Sequence, residues 1–403
     1  MILLLTSLLW GACESDPVIP YPPVVVQDTI FEMVWATRMD YEKEIVSTDL
    51  TQHYKDWLLV GGDLGFPPTI MAFNKDTGAK DWEYIHEGAV HTDINVSYVF
   101  DHIYVGMSSD GIVGIDLDTQ TALWEIDIHA MNMTAGYQFD EFENHLYFQA
   151  VWDLRGPNRT NKFIKLEPHT GNYETVYQTQ NGVLNPPAFH VSEEFGVRII
   201  FNEYPFSNGA PPPENVQNII CIDYETGEEI WRNDSITEFY RSNMLYNAVI
   251  YDNRIVITGG DWSIYAFDVL TGEQLWRYEF DYPWAVWTKT NHIIHKDRLY
   301  VNNSQFDLTC LNPETGELIW NNTDSPNCTR NMVYYEKEDF LVFTSWGYGS
   351  VLIVDALSGK TIHRERKYEN SQYNNDVVYD AERDMFFTSS YKHAFGFRVH
   401  APD

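Results

Sequence analysis

Hydrophobic positions along this chain fall in short runs separated by polar turn signals, with no long 3.6-residue periodicity. The stretch NAVIYDNRIVITGGDWSIYAFDVLTGEQLW, residues 247 to 276, is representative. AVIY, RIVIT and SIYAF are β-branched and aromatic, too short for helices, and divided by DN and GGD; EQLW then alternates polar and apolar after DVLTG. Such spacing predicts four strands of an antiparallel meander. VSYVFDHIYVGMSSDGIVGIDL repeats the theme, and similar pairs recur to the end of the chain. The expectation is an all-β chain.

The turn in that stretch has sisters. MAFNKDTGAKDW (71 to 82), VGIDLDTQTALW (113 to 124), IKLEPHTGNYET (164 to 175), ICIDYETGEEIW (220 to 231), YAFDVLTGEQLW (265 to 276), TCLNPETGELIW (309 to 320) and LIVDALSGKTIH (352 to 363) align on Asn74, Asp116, Glu167, Asp223, Asp268, Asn312 and Asp355. The intervals are 42, 51, 56, 45, 44 and 43 residues, the length of a four-stranded propeller blade. Each position has a mechanical reason. Asp268 opens the turn by accepting backbone N–H groups, the Thr hydroxyl adds a local bond, and Gly272 supplies the left-handed conformation that closes it. Gly occupies this slot in six copies, with Gln120 the exception. Small residues two before the acid, such as Ala72, Gly114 and Ala266, are expected to let a neighbouring blade's indole approach. Cys221 and Cys310 share that slot and read as small buried hydrophobes. Trp82, Trp124, Trp231, Trp276 and Trp320 are expected to pack sideways on the next blade.

Strand pairs number eight. The last begins at NNDVVYDAERDMFFTSS and stops after HAFGFRVH (393 to 400), without the turn and Trp that should follow. FEMVWATRMDYE (31 to 42) looks like the missing outer strand, with Trp35 in the docking slot. Joining the two closes an eight-bladed ring over residues 31 to 403 and leaves no long sheet edge open. The repeat A-x-[DN]-x-x-T-G-x-x-x-W resembles the pyrroloquinoline-quinone (PQQ) type β-propeller superfamily. In its opening Trp strand and unfinished last strand the chain is similar in architecture to the lipoproteins of the outer-membrane β-barrel assembly machinery. That resemblance implies a non-catalytic binding or scaffold role, with envelope proteins as partners.

Charge and the N-terminus add a location. With 26 basic and 59 acidic side chains the formal charge is -33, which repels nucleic acid and anionic membrane surfaces. Ile2 to Ala12 form an apolar run too short to span a bilayer and suited to the core of a secretory signal. Cys13 follows, then the Pro-rich ESDPVIPYPPVVVQ. Residues 1–13 resemble a bacterial lipoprotein signal with Cys13 as the lipidated residue, and 14–30 read as a tether. The expectation is export to the periplasm or outer membrane, with membrane contact through the lipid anchor alone. In an oxidising compartment a bridge between Cys310 and Cys328 is open.

Catalytic chemistry finds little support. There is no Cys-Cys pair, CxxCH haem segment, HExxH, Walker loop or nucleophile elbow. Asp93, Asp376 and Glu203 are expected near the channel face as solvated or turn-forming acids. No catalytic residue, metal site or cofactor is predicted; PQQ and calcium belong only to the alternative reading, a PQQ-dependent dehydrogenase. Departures from the repeat instead gather on the face carrying the B-to-C and D-to-A connections. GGDLGFPPT (61 to 69), QAVWDLRGPNRTNK (149 to 162) and NEYPFSNGAPPPENVQN (202 to 218) are enlarged or unusual. Trp284, Trp287, Tyr240, Arg241, Asn243, Arg330, Asn331 and Tyr373 are the candidate binding face, aromatics beside Arg and amides being suited to peptide or sugar. A carbohydrate-binding envelope lipoprotein is the second alternative.

Overall fold

A computed structural model describes residues 30–402 apart from 40–50, 63–68, 86–95, 108–110, 128–138, 153–159, 206–215, 237–247, 260, 262, 281–291, 303–307, 325–331, 346–348, 370–371, 374 and 391. Every regular element among the described residues is a strand. They form eight antiparallel sheets, one per blade. Blades 1 to 7 occupy 51–85, 96–127, 140–179, 182–236, 249–279, 293–322 and 333–365. Blade 8 takes three strands from 378–399 and its outer strand, Phe31–Arg38, from the start of the chain. Phe31 pairs with Val399 and Arg38 with His393, and His400 N–H donates to Ile30 O at 2.9 Å. The eight-bladed ring closed by the N-terminal strand is as the repeat predicts.

The core is eight seams. Buried apolar side chains cluster blade against blade: Ile255 and Ile257 pack with Ile200 and Cys221 of blade 4. Val256, between them in the same strand, turns instead to Leu299 and Val301 of blade 6. Both faces of strands B and C are covered, so they read as continuous apolar runs, while outer strands alternate.

The turn works as its residues require. Asp268 Oδ1 accepts from the N–H groups of Leu270 (2.9 Å) and Thr271 (2.8 Å). Thr271 Oγ1 accepts from Glu273 N–H at 3.2 Å, and Gly272 sits at φ 71°. A Cβ on Gly272 would lie 2.5 Å from Cε3 of Trp231 in the preceding blade. The indole thus lies flat on the next blade's turn, and Trp231 Nε1 donates to Val269 O at 2.9 Å. Trp35, Trp124, Trp276 and Trp320 bond likewise to Lys75 O, Pro168 O, Pro313 O and Ala356 O.

One expectation needs correction. The small residue of strand C makes room for its own blade's indole: Gly114 lies opposite Trp124, and a Cβ there would meet the indole at 2.2 Å. Ala72, Cys221, Ala266, Cys310 and Gly396 stand opposite Trp82, Trp231, Trp276, Trp320 and Trp35 in the same way. Trp82 does pack on blade 2, against Tyr104 and Leu117, but its buried Nε1 has no hydrogen-bond partner. The turn it faces is the one with Gln120, held at φ 59° with a side chain where the others have none.

Candidate functional site

Along strand B every second residue points at the following blade, and one equivalent position in this series is polar in six successive blades. Gln149, Asn202, Thr258, Asn302, Thr344 and Ser389 hold this place in blades 3 to 8, where blades 1 and 2 have Gly61 and Met107. The six polar side chains are buried. They form a belt beneath the end of the ring from which the B-to-C and D-to-A connections leave.

Most of the belt is spent joining blades. Thr258 Oγ1 meets Nε2 of His292 in blade 6 at 2.9 Å, and Thr344 Oγ1 donates to Asn375 O in blade 8 at 2.7 Å. Ser389 accepts from Asn375 Nδ2 and lies 3.4 Å from Thr51 Oγ1 of blade 1. Between blades 4 and 5, Gln217 Nε2 donates to Asn202 Oδ1 (3.1 Å), Tyr204 Oη (3.1 Å) and Thr258 O (3.2 Å). Burial lowers the His292 pKa to about 4, so its ring is neutral where it meets the threonine.

The seam between blades 3 and 4 breaks the pattern. Gln149 and Asn161 lie diagonally across strands B and C of blade 3, on the face that packs Tyr147 and Phe163 against Ile199 and Phe201 of blade 4. Both are fully buried, and neither amide oxygen nor amide nitrogen of either has a partner. A buried polar group left unpaired costs about 1–3 kcal/mol. Beside this seam the inner strand of blade 4 is divided into Gly182–Leu184 and Ala188–Ser192 by Asn185, Pro186 and Pro187. Proline has no N–H for the ladder. Asn185 keeps one backbone bond, to Asn202 O at 2.9 Å, while its Nδ2 is buried without a partner.

Farther out in the same seam lies Glu203, which is not a solvated acid. Strand B of blade 4 runs through Gly196–Pro205 and carries Glu203 into the interface, where it is 1% exposed. Its Oε1 accepts from Thr179 Oγ1 of blade 3 at 2.5 Å, and its Oε2 from Asn218 Nδ2 (2.8 Å) and Arg232 Nη1 (3.0 Å). A buried carboxylate survives because it is paired and hydrogen-bonded.

Other predicted residues divide sharply. Tyr373 is not on a binding face: its ring is fully buried 4.7 Å from Phe395, in the seam between blades 7 and 8. Asp376 is half-buried in the same connection. Trp284, Trp287, Tyr240, Arg241, Asn243, Arg330, Asn331, Asp93, Cys328 and Cys13, with the signal and almost all of the tether, lie outside the described residues. Cys310 is a buried free thiol, so it forms no bridge. Burial pushes the Cys221 thiol up to about 12 and Cys310 to about 11, which suits apolar packing and not nucleophilic chemistry.

The calcium of the alternative reading finds no donor set among the described residues. Calcium needs several carboxylate or carbonyl oxygens with lone pairs to spare. The belt is neutral, Glu203 has committed both oxygens, and no group of three or more His, Cys, Asp or Glu side chains is placed to hold a metal among the described residues.

Residues 213–394 match the family model described as outer membrane protein assembly factor BamB. No curated protein sequence matches the chain. BamB from Moraxella catarrhalis is similar in structure at 15% identity and a TM-score of 0.59, over 92% of this chain and 100% of that one. The computationally designed Ika8 protein reaches 0.61 at 12% identity, over 92% of this chain and 100% of its own. The quinohemoprotein alcohol dehydrogenase of Comamonas testosteroni reaches 0.65 at 9% identity, over 93% of this chain and 78% of that one. At these identities the likeness is one of fold. The chain is a β-propeller of PQQ-like repeats.

Proposed function

We propose that this propeller is a non-catalytic binding or scaffold protein of the bacterial cell envelope, lipid-anchored through Cys13, working with the outer-membrane β-barrel assembly machinery. The observation that carries the reading is the match of residues 213–394, which spans parts of blades 4 to 8, to the assembly-factor family. The site chemistry supports it: the belt at the loop-rich end is made of amides and hydroxyls that fasten blades, and the one buried carboxylate in the seam described is neutralised by Arg232. A rigid ring presenting enlarged connections at one end suits partner recognition, because binding residues sit on loops held by a stiff scaffold. Extended, strand-forming segments of barrel proteins are the ligands such a surface would take.

The test is affinity purification of the full chain from native membranes with mass spectrometry. Recovery of β-barrel assembly proteins, lost when Cys13→Ala releases the chain from the membrane, is the expected result. Recovery of no envelope protein from intact membranes would remove the reading.

A further inference from the structure

We infer that the outer wall of blades 4 to 6, at the turn end of the ring, is a docking surface for a basic amphipathic helix of a partner protein. Three successive turns run into their outer strands with one motif: TGEEIW (226 to 231), TGEQLW (271 to 276) and TGELIW (315 to 320). Each supplies a Glu directly after the turn glycine and an aliphatic residue directly before the Trp. Glu228, Glu273 and Glu317 are exposed. None of the three forms an ion pair among the described residues. Ile230, Leu275 and Ile319 are 42% to 44% exposed. Indole docking sets these units blade beside blade: Trp231 donates to Val269 O in the turn before Leu275, and Trp276 to Pro313 O in the turn before Ile319. Exposed Leu357, in the blade 7 turn that receives Trp320, extends the wall. Other blades lack the pair. Blades 1, 2 and 3 place Ala79 and Asp81, Thr121 and Leu123, and Asn172 and Glu174 there. In blade 8 Glu32 is taken by His400, and Val34 is half-buried.

Charge and backbone together select the occupant. Aliphatic side chains left in water along one wall and rimmed by polar groups mark an interaction surface. Carboxylates without partners among them call for Lys or Arg on the other side. The same carboxylates repel a second copy of a chain whose formal charge is -33, and they repel an anionic lipid surface. The backbone then favours a helix over an added strand. Cys221 stands opposite Trp231 and Ile222 opposite Glu229, so Ile230 is an extra residue that bulges from the outer strand. Leu275 and Ile319 bulge in the same way. A bulge bends the edge and interrupts the row of N–H and C=O groups that an incoming strand needs. Recognition must therefore come from side chains spread over neighbouring blades, which is how an amphipathic helix meets an apolar surface. This wall lies at the opposite end of the ring from the enlarged connections, and the inference rests neither on lipidation of Cys13 nor on the assembly machinery.

The experiment titrates the full chain by calorimetry with three synthetic peptides: a Leu–Lys sequence patterned as an amphipathic helix, the same composition with the pattern scrambled, and the Leu–Glu counterpart. The patterned Leu–Lys peptide binds saturably at one site per chain, more weakly as salt rises, and the other two do not. Leu275→Ser with Ile319→Ser weakens binding by about tenfold or more. Glu273→Gln with Glu317→Gln weakens it at low salt and flattens its salt dependence. Leu123→Ser, the same strand position in a blade without the Glu, leaves the affinity as it was. All of these side chains are exposed, so the variants keep the Tm and a change in binding is not a change in folding. Absence of saturable binding overturns the proposal. So does equal binding by the scrambled peptide, or binding that survives the Leu275 and Ile319 substitutions, either of which reduces the effect to general attraction by an acidic chain. A dimer in sedimentation that Leu275→Ser with Ile319→Ser dissolves would also overturn it, by making a second copy the occupant.

Discussion

Replacing Gly316 by Ala tests whether indole docking holds the ring. Gly316 sits at φ 73°, and an added Cβ would lie 2.6 Å from Cε3 of Trp276. Holding Ala in the left-handed region costs about 1–2 kcal/mol by itself. The indole has little room to retreat: it is 8% exposed, and its Nε1 donates to Pro313 O at 3.1 Å. Moving it adds an overpacking cost of about 1–3 kcal/mol and loss of a hydrogen bond of about 1 kcal/mol. The sum is roughly 3–6 kcal/mol. Gly196 is the control, because it has nearly the same φ, 71°, and a Cβ there would meet nothing within 4 Å. Gly196→Ala is therefore expected to cost only the backbone share of about 1–2 kcal/mol. For about 370 folded residues each kcal/mol lowers the Tm by roughly 1–2 °C. Calorimetry should then show a fall of about 4–8 °C for Gly316→Ala and about 1–3 °C for Gly196→Ala. Combining Gly316→Ala with Trp276→Phe should cost less than the two changes added. Equal shifts for the two alanines would refute the docking account and leave backbone strain as the whole effect.

Two further predictions concern buried charge. Lys75 is 2% exposed at the seam where blade 8 meets blade 1, and its Nζ donates to Asp380 (2.7 Å) and Lys55 O (2.6 Å). Lys75→Met should cost about 1–3 kcal/mol in urea denaturation, since Asp380 keeps Arg383 Nη1 at 3.2 Å, and Lys75→Met with Asp380→Leu less, because the first alone leaves a buried carboxylate short of one partner. Burial works to raise the Asp380 pKa, yet hydrogen bonds from Lys75 and the Arg383 backbone outweigh it and hold the group below the usual carboxylate value. Its stabilising share is thus present above the ordinary Asp range and lost as pH falls through the lowered pKa; loss of stability in strong acid should be shallower in the double variant. His292 acts in a milder window. Its folded pKa of about 4 lies below the ordinary histidine value of 6.5, so the unfolded chain takes up the proton first. Stability should fall by about 3 kcal/mol as pH drops from 6.5 to 4, and His292→Gln should flatten that part of the profile.

The ring was legible because its information is local and repeated. Asp268, Thr271 and Gly272 build a turn from their own backbone, and Trp231 or Trp276 needs only a flat turn beside it, so seven copies and a split eighth announce the architecture. What the sequence hid depends on partners from another blade. Glu203 sits in a stretch that reads as loop because of the prolines and glycine after it, yet Thr179 and Arg232 draw it into a seam. Tyr373 precedes an inner strand as a channel-mouth residue would, but Phe395 covers it. The indole slot was assigned to the wrong blade because strand register decides which Trp faces Gly114. The belt did leave a trace: Gln149, Asn202, Thr258, Asn302, Thr344 and Ser389 fall at one offset from the preceding turn. A polar residue after an apolar run reads as the strand stopping, so only the neighbouring blade reveals whether its hydrogen bonds are met.

Closure of the ring by Phe31–Arg38 sets a timetable. Glu32 and His400 meet at 3.0 Å across a sequence separation of 368 residues, so the strand made first is the one that pairs last. At about 5–20 residues per second of synthesis, Trp35 waits roughly 20–70 seconds before Gly396 exists to face it. During that interval neither the strand nor the blade that lacks it can be complete. The chain thus carries its own proof of completeness: a truncated product can build interior blades, but it cannot become a circle.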